Sequence, residues 1–416
     1  MIQILKILFF LVASAVCNGY LFSEIFIFPE PKPFTGNTFY NPYQNGNQHL
    51  LKANFHAHSK SWGGLTNGSQ SGDEVLRHYM DAGYDIATVS DYHRINEAIY
   101  MDDNISIPCY EHGINIQKTH YMALNAKKVS FQDVFLFHSD HTRQTIINKL
   151  SENSDLVCIN HPQNRMGHKT SSLRKLDNYS HIELINGSNI AKAHWDSALS
   201  SGKPIWALSN DDIHDVKESK FGKSWTAVSV QSKDQRSVLQ SLKNGSTFAV
   251  LQHSKNEPPQ GSPEDTVPIP MSIKINNDTL EIVFRDSIQN ILLIGQGGFV
   301  RFSAKQKNKV QMALNPADTY IRGQFTDKFF HVFSNPIIRV QSNSLPINNS
   351  GVKLDIFRTS GFRILVFTFW IILFRLIFPS RYNQIVRLLK LFISRGFSSV
   401  QRPEIGNPTV GGNLKI

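Results

Sequence analysis

Histidines and carboxylates in this sequence are concentrated in one region, where they occur in short clusters. Of the 16 histidines, only His253 and His331 lie beyond residue 214. Imidazoles mixed with carboxylates are typical ligands of Zn, Mn and Fe, whereas Ca and Mg prefer oxygen ligands alone. A metal ion held by such a set generates a hydroxide nucleophile from water near neutral pH. The residue types therefore indicate a site for divalent metal ions.

Each cluster lies after or beside a short apolar run that predicts a β-strand. His56 and His58, two residues apart, would leave an extended chain on the same face and could bind one ion. The other candidate metal ligands are Asp91, His93, Glu111, His161, Asp212 and His214. Because the carboxyl ends of parallel strands converge on one face of a barrel, these side chains are predicted to meet there. So many ligands exceed one tetrahedral site, which predicts two or three divalent ions (Zn, Mn or Fe).

The elements that would position these residues alternate between strand and helix from residue 50 to about residue 255. Ser71-Gly-Asp-Glu74 is a capping box and predicts a helix start. A second helical stretch, Gln231–Leu242, is followed by the stop signal Asn244-Gly245. Repeated β-α units predict an α/β fold with a parallel sheet, and at this length a barrel is favoured over an open sheet. Beyond the proline-rich segment 258–263, alternating strands without a helix signal predict a small antiparallel β-domain.

The two ends of the chain are apolar, and the positive charge is concentrated at one of them. Residues 351–416 hold eight of the ten net positive charges, so the central region is close to neutral and no nucleic-acid partner is expected. The apolar run 361–378 predicts a transmembrane helix, and the N-terminal run predicts a signal peptide or an uncleaved anchor. The basic tail is predicted to be cytoplasmic and to contact membrane lipid, with the catalytic domain on the exported side.

The predicted organisation has six segments along the chain. They are a signal peptide or membrane anchor (1–28), a linker (29–49), a hydrolase barrel (50–257), an antiparallel β-domain (264–346), a transmembrane helix (361–378) and a basic cytoplasmic tail (379–416).

The clusters and the segments around them resemble the PHP (polymerase and histidinol phosphatase) family of metal-dependent phosphoesterases. The matching segments, within about residues 50–255, are Asn54–Ser59 (H-x-H), Leu76–Asp91 (helix, glycine, strand and T/S-D), Asn160–Pro162 (N-H-P), Ile182–Asn186 (E-x-x-N) and Asp212–His214 (D-x-H). The resemblance implies a distorted (β/α)7 PHP barrel, followed here by the small β-domain and the terminal membrane helices. It also implies hydrolysis of a small phosphorylated or ester substrate.

The sequence departs from the family pattern at two points. Ser90-Asp91-Tyr92-His93 stands where the family has T-D-H, which displaces the imidazole by one position. Asn115 stands where the family has the glutamate of a G-x-E element, and Glu111 is the predicted substitute. His120 stands where the family has a histidine at the start of the next strand, so the resemblance adds it to the candidate ligands. The two departures leave open a reduced, two-metal site.

The resemblance also implies roles for residues that approach the substrate. His161 or His214 would protonate the leaving oxygen, and Arg165 and Lys169, in the loop after His161, would bind the phosphate. Two other functions remain open at the level of the sequence. One is a metallohydrolase of non-phosphate esters or amides, since the same activated water serves both reactions. The other is a catalytically inert metal-containing binding protein, which the departures at Tyr92 and Asn115 favour.

Overall fold

The computed structural model describes residues 1–398, apart from 45, 47–48, 67, 101–103, 255, 257–260 and 343–350. The chain divides into two compact units. One unit contains Met1–Leu21 and the chain from Ser360 onward, and the other contains Phe22–Thr359.

Both units are built from regular elements whose bounds are as follows. The strands are β1 (Phe26–Ile27), β2 (Thr38–Tyr40), β3 (His49–Asn54), β4 (Ile86–Ala87), β5 (Cys109–His112), β6 (Tyr121–Ala126), β7 (Ser154–Ile159), β8 (His181–Asn186), β9 (Asn189–Ile190), β10 (Trp206–Asn210), β11 (Ser224–Val230), β12 (Thr247–Gln252), β13 (Ser272–Asn276), β14 (Thr279–Ile288), β15 (Asn290–Ile294), β16 (Val300–Ala304), β17 (Lys307–Ala313), β18 (Tyr320–Thr326), β19 (Phe330–Ser334), β20 (Ile337–Val340) and β21 (Lys353–Leu354). The α-helices are α1 (Ile2–Leu21), α2 (Gly72–Asp81), α3 (Asp140–Ser151), α4 (Thr170–Leu173), α5 (Lys192–Leu199), α6 (Gln235–Asn244), α7 (Pro263–Thr266), α8 (Ile356–Ile377) and α9 (Pro379–Ser398).

Two sheets form most of the larger unit. The first has the order β10-β8-β7-β6-β5, with β9 beside β8, and its strands β7, β8 and β10 run parallel. The second has the order β16-β15-β18-β19-β12-β11-β3-β4, and within it β3 and β4 are the parallel pair. Strand β20 joins β18 to β2, β13-β14-β17 form a separate antiparallel sheet, and β1 pairs with β21.

The mixed α/β class is confirmed, but the described strands do not close into a barrel. Strand β6 runs antiparallel to both of its neighbours, β5 and β7. The reason lies in the connection: β5 ends at His112 and β6 begins at Tyr121. A parallel return needs a crossover of a dozen or more residues, so this short connection produces an antiparallel pair.

Strands from both sides of the predicted boundary at 258–263 share a sheet. Strand β12 pairs with β19, with Phe248 opposite Ser334. A buried ion pair also crosses the boundary, because the Arg322 guanidinium donates to both carboxylate oxygens of Asp196 at 2.7 and 2.6 Å. The domain limits 50–257 and 264–346 remain predictions. Both segments lie within the compact unit Phe22–Thr359.

Local sequence signals define several helix ends as expected. The Ser71 hydroxyl accepts from the Glu74 backbone N–H at 3.3 Å, and the Glu74 carboxylate accepts from the Ser71 N–H at 2.9 Å. These two bonds complete the predicted capping box of α2. Helix α6 ends before Gly245, as the stop signal predicts, and the φ of Gly245 is 76°, the left-handed conformation that glycine adopts without strain. The helix begins after the cap Asp234, four residues later than the predicted start at Gln231.

The smaller unit contains two helices that are long and apolar enough to cross a membrane by length and composition. They are α1 and α8, with mean hydropathies of 1.9 and 1.8. Phe10 lies 5.5 Å from Trp370 between ring centroids, and the Trp370 indole donates to the Ser14 hydroxyl at 2.9 Å. Helix α9 begins at Pro379 and covers the first part of the predicted basic tail. The remainder of that tail, 399–416, lies outside the described residues.

Candidate metal centre

Two isolated backbone bridges each bring two distant segments of the chain together. Ala57 pairs with Ile213, and Tyr92 pairs with Glu111, both in parallel orientation. The first bridge includes the His58 N–H, which donates to the Ile213 carbonyl at 2.9 Å. Candidate ligands flank Ala57 and Ile213 on both sides. Because an extended chain places alternate residues on one face, the two flanking side chains of each segment point the same way. The bridges therefore determine which side chains face each other.

Two histidines and two carboxylates form the first part of the centre. His56 Nε2 lies 3.3 Å from Glu111 Oε1 and 3.3 Å from Asp212 Oδ1. His58 Nε2 lies 3.2 Å from Glu111 Oε2 and 3.4 Å from the same Asp212 oxygen. The two Nε2 atoms are 3.2 Å apart, and all four side chains are buried or nearly so. Their potential ligand atoms thus point at one small volume.

Glu111 also belongs to a second group of possible ligands. Its Oε1 atom lies 3.0 Å from His120 Nδ1 and 3.2 Å from His161 Nε2. The Asn160 amide donates to the same oxygen at 3.0 Å. Because Glu111 contacts both groups, it could contribute a ligand oxygen to a metal ion held by either of them.

His214 extends the centre on the side of His58. The two rings stack with centroids 4.4 Å apart, and His58, Asp212 and His214 form one of the groups whose ligand atoms are mutually close. Burial, followed by the neighbouring His58, lowers the pKa of His214 to about 4. His214 is therefore neutral at pH 7, which is the protonation state in which imidazole binds a metal ion.

The donor set passes a test of fit for divalent metal. Glu111 Oε2 and Asp212 Oδ1 are buried oxygen atoms without a hydrogen-bond partner. A buried carboxylate oxygen left without a partner costs free energy, so native proteins rarely retain one unless an ion or water satisfies it. The ring nitrogens of His56 and His58 surround both oxygens, and this mixture of ligands suits Zn, Mn or Fe.

The charges of the cluster favour ionised carboxylates. Burial alone would raise the pKa of the Glu111 carboxyl, but His120 and His56 hold it well below its usual range. The pKa of Asp212 is likewise held well below its ordinary value against the effect of burial, by His56 and His58. Both carboxylates are therefore available as anionic ligands at neutral pH.

Glu183, which the sequence reasoning did not select as a site residue, orients His56. Its carboxylate accepts from His56 Nδ1 at 3.0 Å and from the His161 backbone N–H at 2.8 Å. It also accepts from the amides of Asn186 at 2.9 Å and Asn210 at 3.1 Å. A carboxylate that holds the second nitrogen of a metal-binding histidine fixes the ring orientation and its tautomer. The E-x-x-N pattern of strand β8 was the signal in the sequence that could have identified this residue.

Asp91 and His93, both predicted as ligands, lie outside the cluster of His56 and Glu111. The Asp91 carboxylate accepts from the Ser59 N–H and hydroxyl, both at 2.8 Å, and from the Asn96 amide at 2.8 Å. His93 Nδ1 contacts the Ser130 carbonyl at 2.9 Å, and its Nε2 accepts from the Gly113 N–H at 3.1 Å. Both side chains use their polar atoms to join loops around the centre. His93 has two further ligand-type neighbours, His112 and Asp133.

Tyr92, between these two residues, reaches the centre instead. Its ring stacks on His58 with centroids 4.6 Å apart, and its hydroxyl interacts with Glu111. Burial, followed by Glu111 and Asp212, raises the pKa of the Tyr92 hydroxyl well above its usual value. It is therefore a neutral hydrogen-bond donor at the position where the family pattern has an imidazole.

A polar cavity of about 430 Å³ opens beside His161. Its lining includes Arg165, Asn186 and Asn189, together with Glu183. Lys169, predicted with Arg165 to bind phosphate, is exposed at the start of α4 and lies outside this lining. The structure thus places one of the two predicted cations beside the centre.

Comparison with solved structures gives a distant similarity. The chain is similar to the crystal structure of a two-domain protein from Bacteroides vulgatus that contains a predicted PHP-like metal-dependent phosphoesterase. The sequences are 12% identical, the TM-score is 0.38, and the similarity covers 78% of this chain and 98% of that chain. No protein-family model and no curated protein matches the chain. At this level of similarity, the function has to be argued from the site itself.

Proposed function

We propose that this chain is a membrane-anchored, metal-dependent phosphoesterase of the PHP type. The observation that carries the proposal is the pair of unpartnered buried oxygens, Glu111 Oε2 and Asp212 Oδ1, among the ring nitrogens of His56 and His58. A folded protein tolerates this arrangement where cations complete it. The fold that we propose is the distorted (β/α)7 PHP arrangement, with the site at the ends of its strands.

The side chains of the centre would hold two or three divalent ions. His56, His58, Asp212 and His214 would hold metal, with Glu111 and His120 as further ligands. When bound, the ions supply a water nucleophile ionised near neutral pH and neutralise charge on the phosphoryl oxygens. Glu111 and Asp212 balance part of the cationic charge, and Glu183 keeps His56 in a single tautomer.

His161 is the better of the two predicted proton donors. Burial opposes its charged form, but Glu111 raises the pKa of His161 above its ordinary value, and its Nδ1 atom has no hydrogen-bond partner. His161 also lines the polar cavity, with Arg165 on the same wall. We assign the leaving-group proton to His161 and the binding of a phosphoryl oxygen to Arg165. His214, with a pKa of about 4, is suited to metal binding instead.

We further propose that α8 anchors the protein and that the basic tail lies in the cytoplasm against anionic lipid. The apolar helices α1 and α8 support an anchored chain by their length and composition. The net positive charge beyond α8 supports this orientation through the positive-inside rule. The catalytic unit would then lie on the exported side. Its substrate would be a small phosphorylated molecule rather than a nucleic-acid polymer.

The experiment uses detergent-solubilised full-length protein, stripped of metal with a chelator and refilled with Mn²⁺ or Zn²⁺. We expect hydrolysis of a generic p-nitrophenyl phosphodiester, at least about 100-fold slower in His56→Ala and unchanged in the matched control His253→Ala. Arg165→Ala should lower turnover of phosphate esters more than turnover of p-nitrophenyl acetate. Equal losses on both substrates would favour a non-phosphate esterase. No turnover by any metal-loaded form would favour an inert binding protein.

A further inference from the structure

An apolar cleft opens beside His120, one of the candidate ligands. We define it by six side chains that line a cavity of about 660 Å³: Trp62, Leu65, Ile114, Ile116, Phe131 and Phe135. All six are exposed, including Leu65 at 91% and Phe131 at 66%. Grouped apolar side chains that remain in water mark a binding surface, since their exposure costs free energy. The volume lies within the roughly 300–1,000 Å³ typical of small-molecule sites.

Specific hydrogen bonds hold the walls of the apolar cleft in place. The Trp62 indole donates to the Tyr92 carbonyl at 2.7 Å, and the Ile116 N–H donates to the Phe135 carbonyl at 3.2 Å. The Ile114 N–H donates to the Asp133 carboxylate at 2.7 Å. The apolar side chains are therefore presented by a fixed backbone, as in a preformed pocket.

The apolar cleft is continuous with the metal centre through two shared residues. Tyr92 and His120 line the cleft. His120 Nδ1 lies 3.0 Å from Glu111 Oε1, and Tyr92 stacks on His58. A phosphoryl group bound beside Glu111 would therefore have the cleft directly next to it.

The two openings of the centre have opposite chemical character. His161 lines the polar cavity and His120 lines the apolar cleft, and both rings contact the same oxygen of Glu111. The ring centroids of the two histidines are 5.1 Å apart. On the polar side the lining offers Arg165 and amides, while on the apolar side the cation among the lining residues is Lys118. A molecule seated across Glu111 would thus have one polar end and one apolar end.

We propose that the substrate is an amphiphilic phosphoester whose apolar substituent, an alkyl or acyl chain, binds in the apolar cleft. This inference rests on the phosphoesterase function proposed above. In the reaction, a water oxygen bonds to phosphorus, the bond from phosphorus to the leaving oxygen breaks, and the leaving oxygen takes up a proton. The chain on the retained oxygen stays in the cleft during this exchange.

The test compares p-nitrophenyl phosphodiesters that carry methyl, butyl or octyl groups, below their micelle concentrations, with Mn²⁺-loaded full-length protein. Burial of one methylene corresponds to about a fourfold gain in binding. We therefore expect kcat/KM to rise at least about tenfold from methyl to octyl. Leu65→Ser and Phe131→Ser should reduce the octyl-to-methyl ratio severalfold, while Phe299→Ser, which removes an exposed phenyl group elsewhere, should leave the ratio unchanged. A ratio near one in the wild-type protein would overturn the proposal.

A binding experiment separates failure of this inference from failure of the proposed function. Octylphosphonate and methylphosphonate, which cannot be hydrolysed, are titrated into the Mn²⁺-loaded protein by calorimetry. At least about tenfold tighter binding of octylphosphonate, reduced in Leu65→Ser, is expected even if no ester is turned over. In that case the phosphoesterase function fails and the cleft stands as a site for apolar phosphonates. Equal affinities for the two phosphonates would contradict the cleft assignment whatever the activity.

Discussion

Replacing Glu183 with glutamine tests whether a residue outside the ligand set controls the metal centre. Each carboxylate oxygen of Glu183 accepts two hydrogen bonds. One oxygen serves His56 and Asn210, and the other serves the His161 N–H and Asn186. A glutamine keeps one oxygen, but its amide group is a donor and would face two other donors. The substitution therefore retains the size of the side chain and removes half of its acceptor capacity.

The expected magnitude follows from these contacts. Loss of a partner that orients a metal-binding histidine lowers metal affinity about 10–100-fold, which corresponds to about 1.4–2.8 kcal/mol. Two lost hydrogen bonds to a charged acceptor, at about 1.5 kcal/mol each, lower the free energy of unfolding of the metal-free protein by roughly 3 kcal/mol. Both effects are expected together because the same carboxylate supports His56 and the loop of His161.

The assay measures Mn²⁺ and Zn²⁺ affinity by competition with a chromophoric chelator, and unfolding by tryptophan fluorescence in denaturant. Glu152→Gln is the matched control, since Glu152 is exposed and pairs with Lys149 on the surface. Wild-type metal affinity in Glu183→Gln would refute the argument that Glu183 orients His56. A loss of stability without a loss of affinity would assign Glu183 a structural role only.

Three further predictions concern residues around the centre. A Cβ at Gly113, whose φ is 142°, would lie 2.5 Å from the His120 ring, so Gly113→Ala should displace that ring. Metal affinity, measured by chelator competition, should then fall at least about tenfold. Unchanged affinity would exclude His120 as a ligand. Burial raises the pKa of Asp211 to about 7, so the folded state holds a proton that the unfolded state releases, and the unfolding free energy of the metal-free protein should fall as the pH rises from about 4 to 7. The fall should be on the order of 4 kcal/mol and should be absent in Asp211→Asn. Parallel pH profiles for the two proteins would contradict the assignment. Asp196→Ala leaves the buried Arg322 guanidinium without its carboxylate and should lower the unfolding free energy by about 3–5 kcal/mol. The double variant Asp196→Leu/Arg322→Met should recover most of this loss of stability. No recovery would contradict the explanation that the loss comes from an unpaired buried charge.

The sequence was most informative where a local rule determines the structure. The spacing of His56 and His58 depends only on the alternation of an extended chain, and the structure places both rings against Glu111. The capping box at Ser71 and the glycine that ends α6 are likewise properties of a few adjacent residues. Such signals do not depend on the rest of the fold, so they could be interpreted directly.

Strand direction and strand closure could not be predicted in the same way. The apolar runs of β6 and β7 are compatible with parallel or antiparallel neighbours, and the direction of β6 follows from the length of the connection before it. The strands around the centre belong to separate sheets, and where one sheet ends depends on how distant segments of the chain pack. This leaves two isolated bridges, at Ala57 and Tyr92, to position the ligands.

The roles of individual polar residues were the least predictable part of the site. Asp91 stands in the pattern of a ligand, but Ser59 and Asn96 lie close enough to satisfy its carboxylate. Tyr92 departs from the family pattern, yet its ring contacts His58. Whether a side chain faces an ion or a neighbouring loop depends on where distant segments pack, and the local sequence does not specify this.

The metal content of the purified full-length protein tests whether the cluster around Glu111 binds divalent ions. Elemental analysis after saturation with Mn²⁺ or Zn²⁺ and removal of free ion should give two to three ions per chain in the wild type. His253→Ala should match the wild type, and Glu111→Gln should lose at least one ion, because Glu111 contacts both groups of histidines. Fewer than one ion per chain in the wild type, or an unchanged content in Glu111→Gln, would contradict the account.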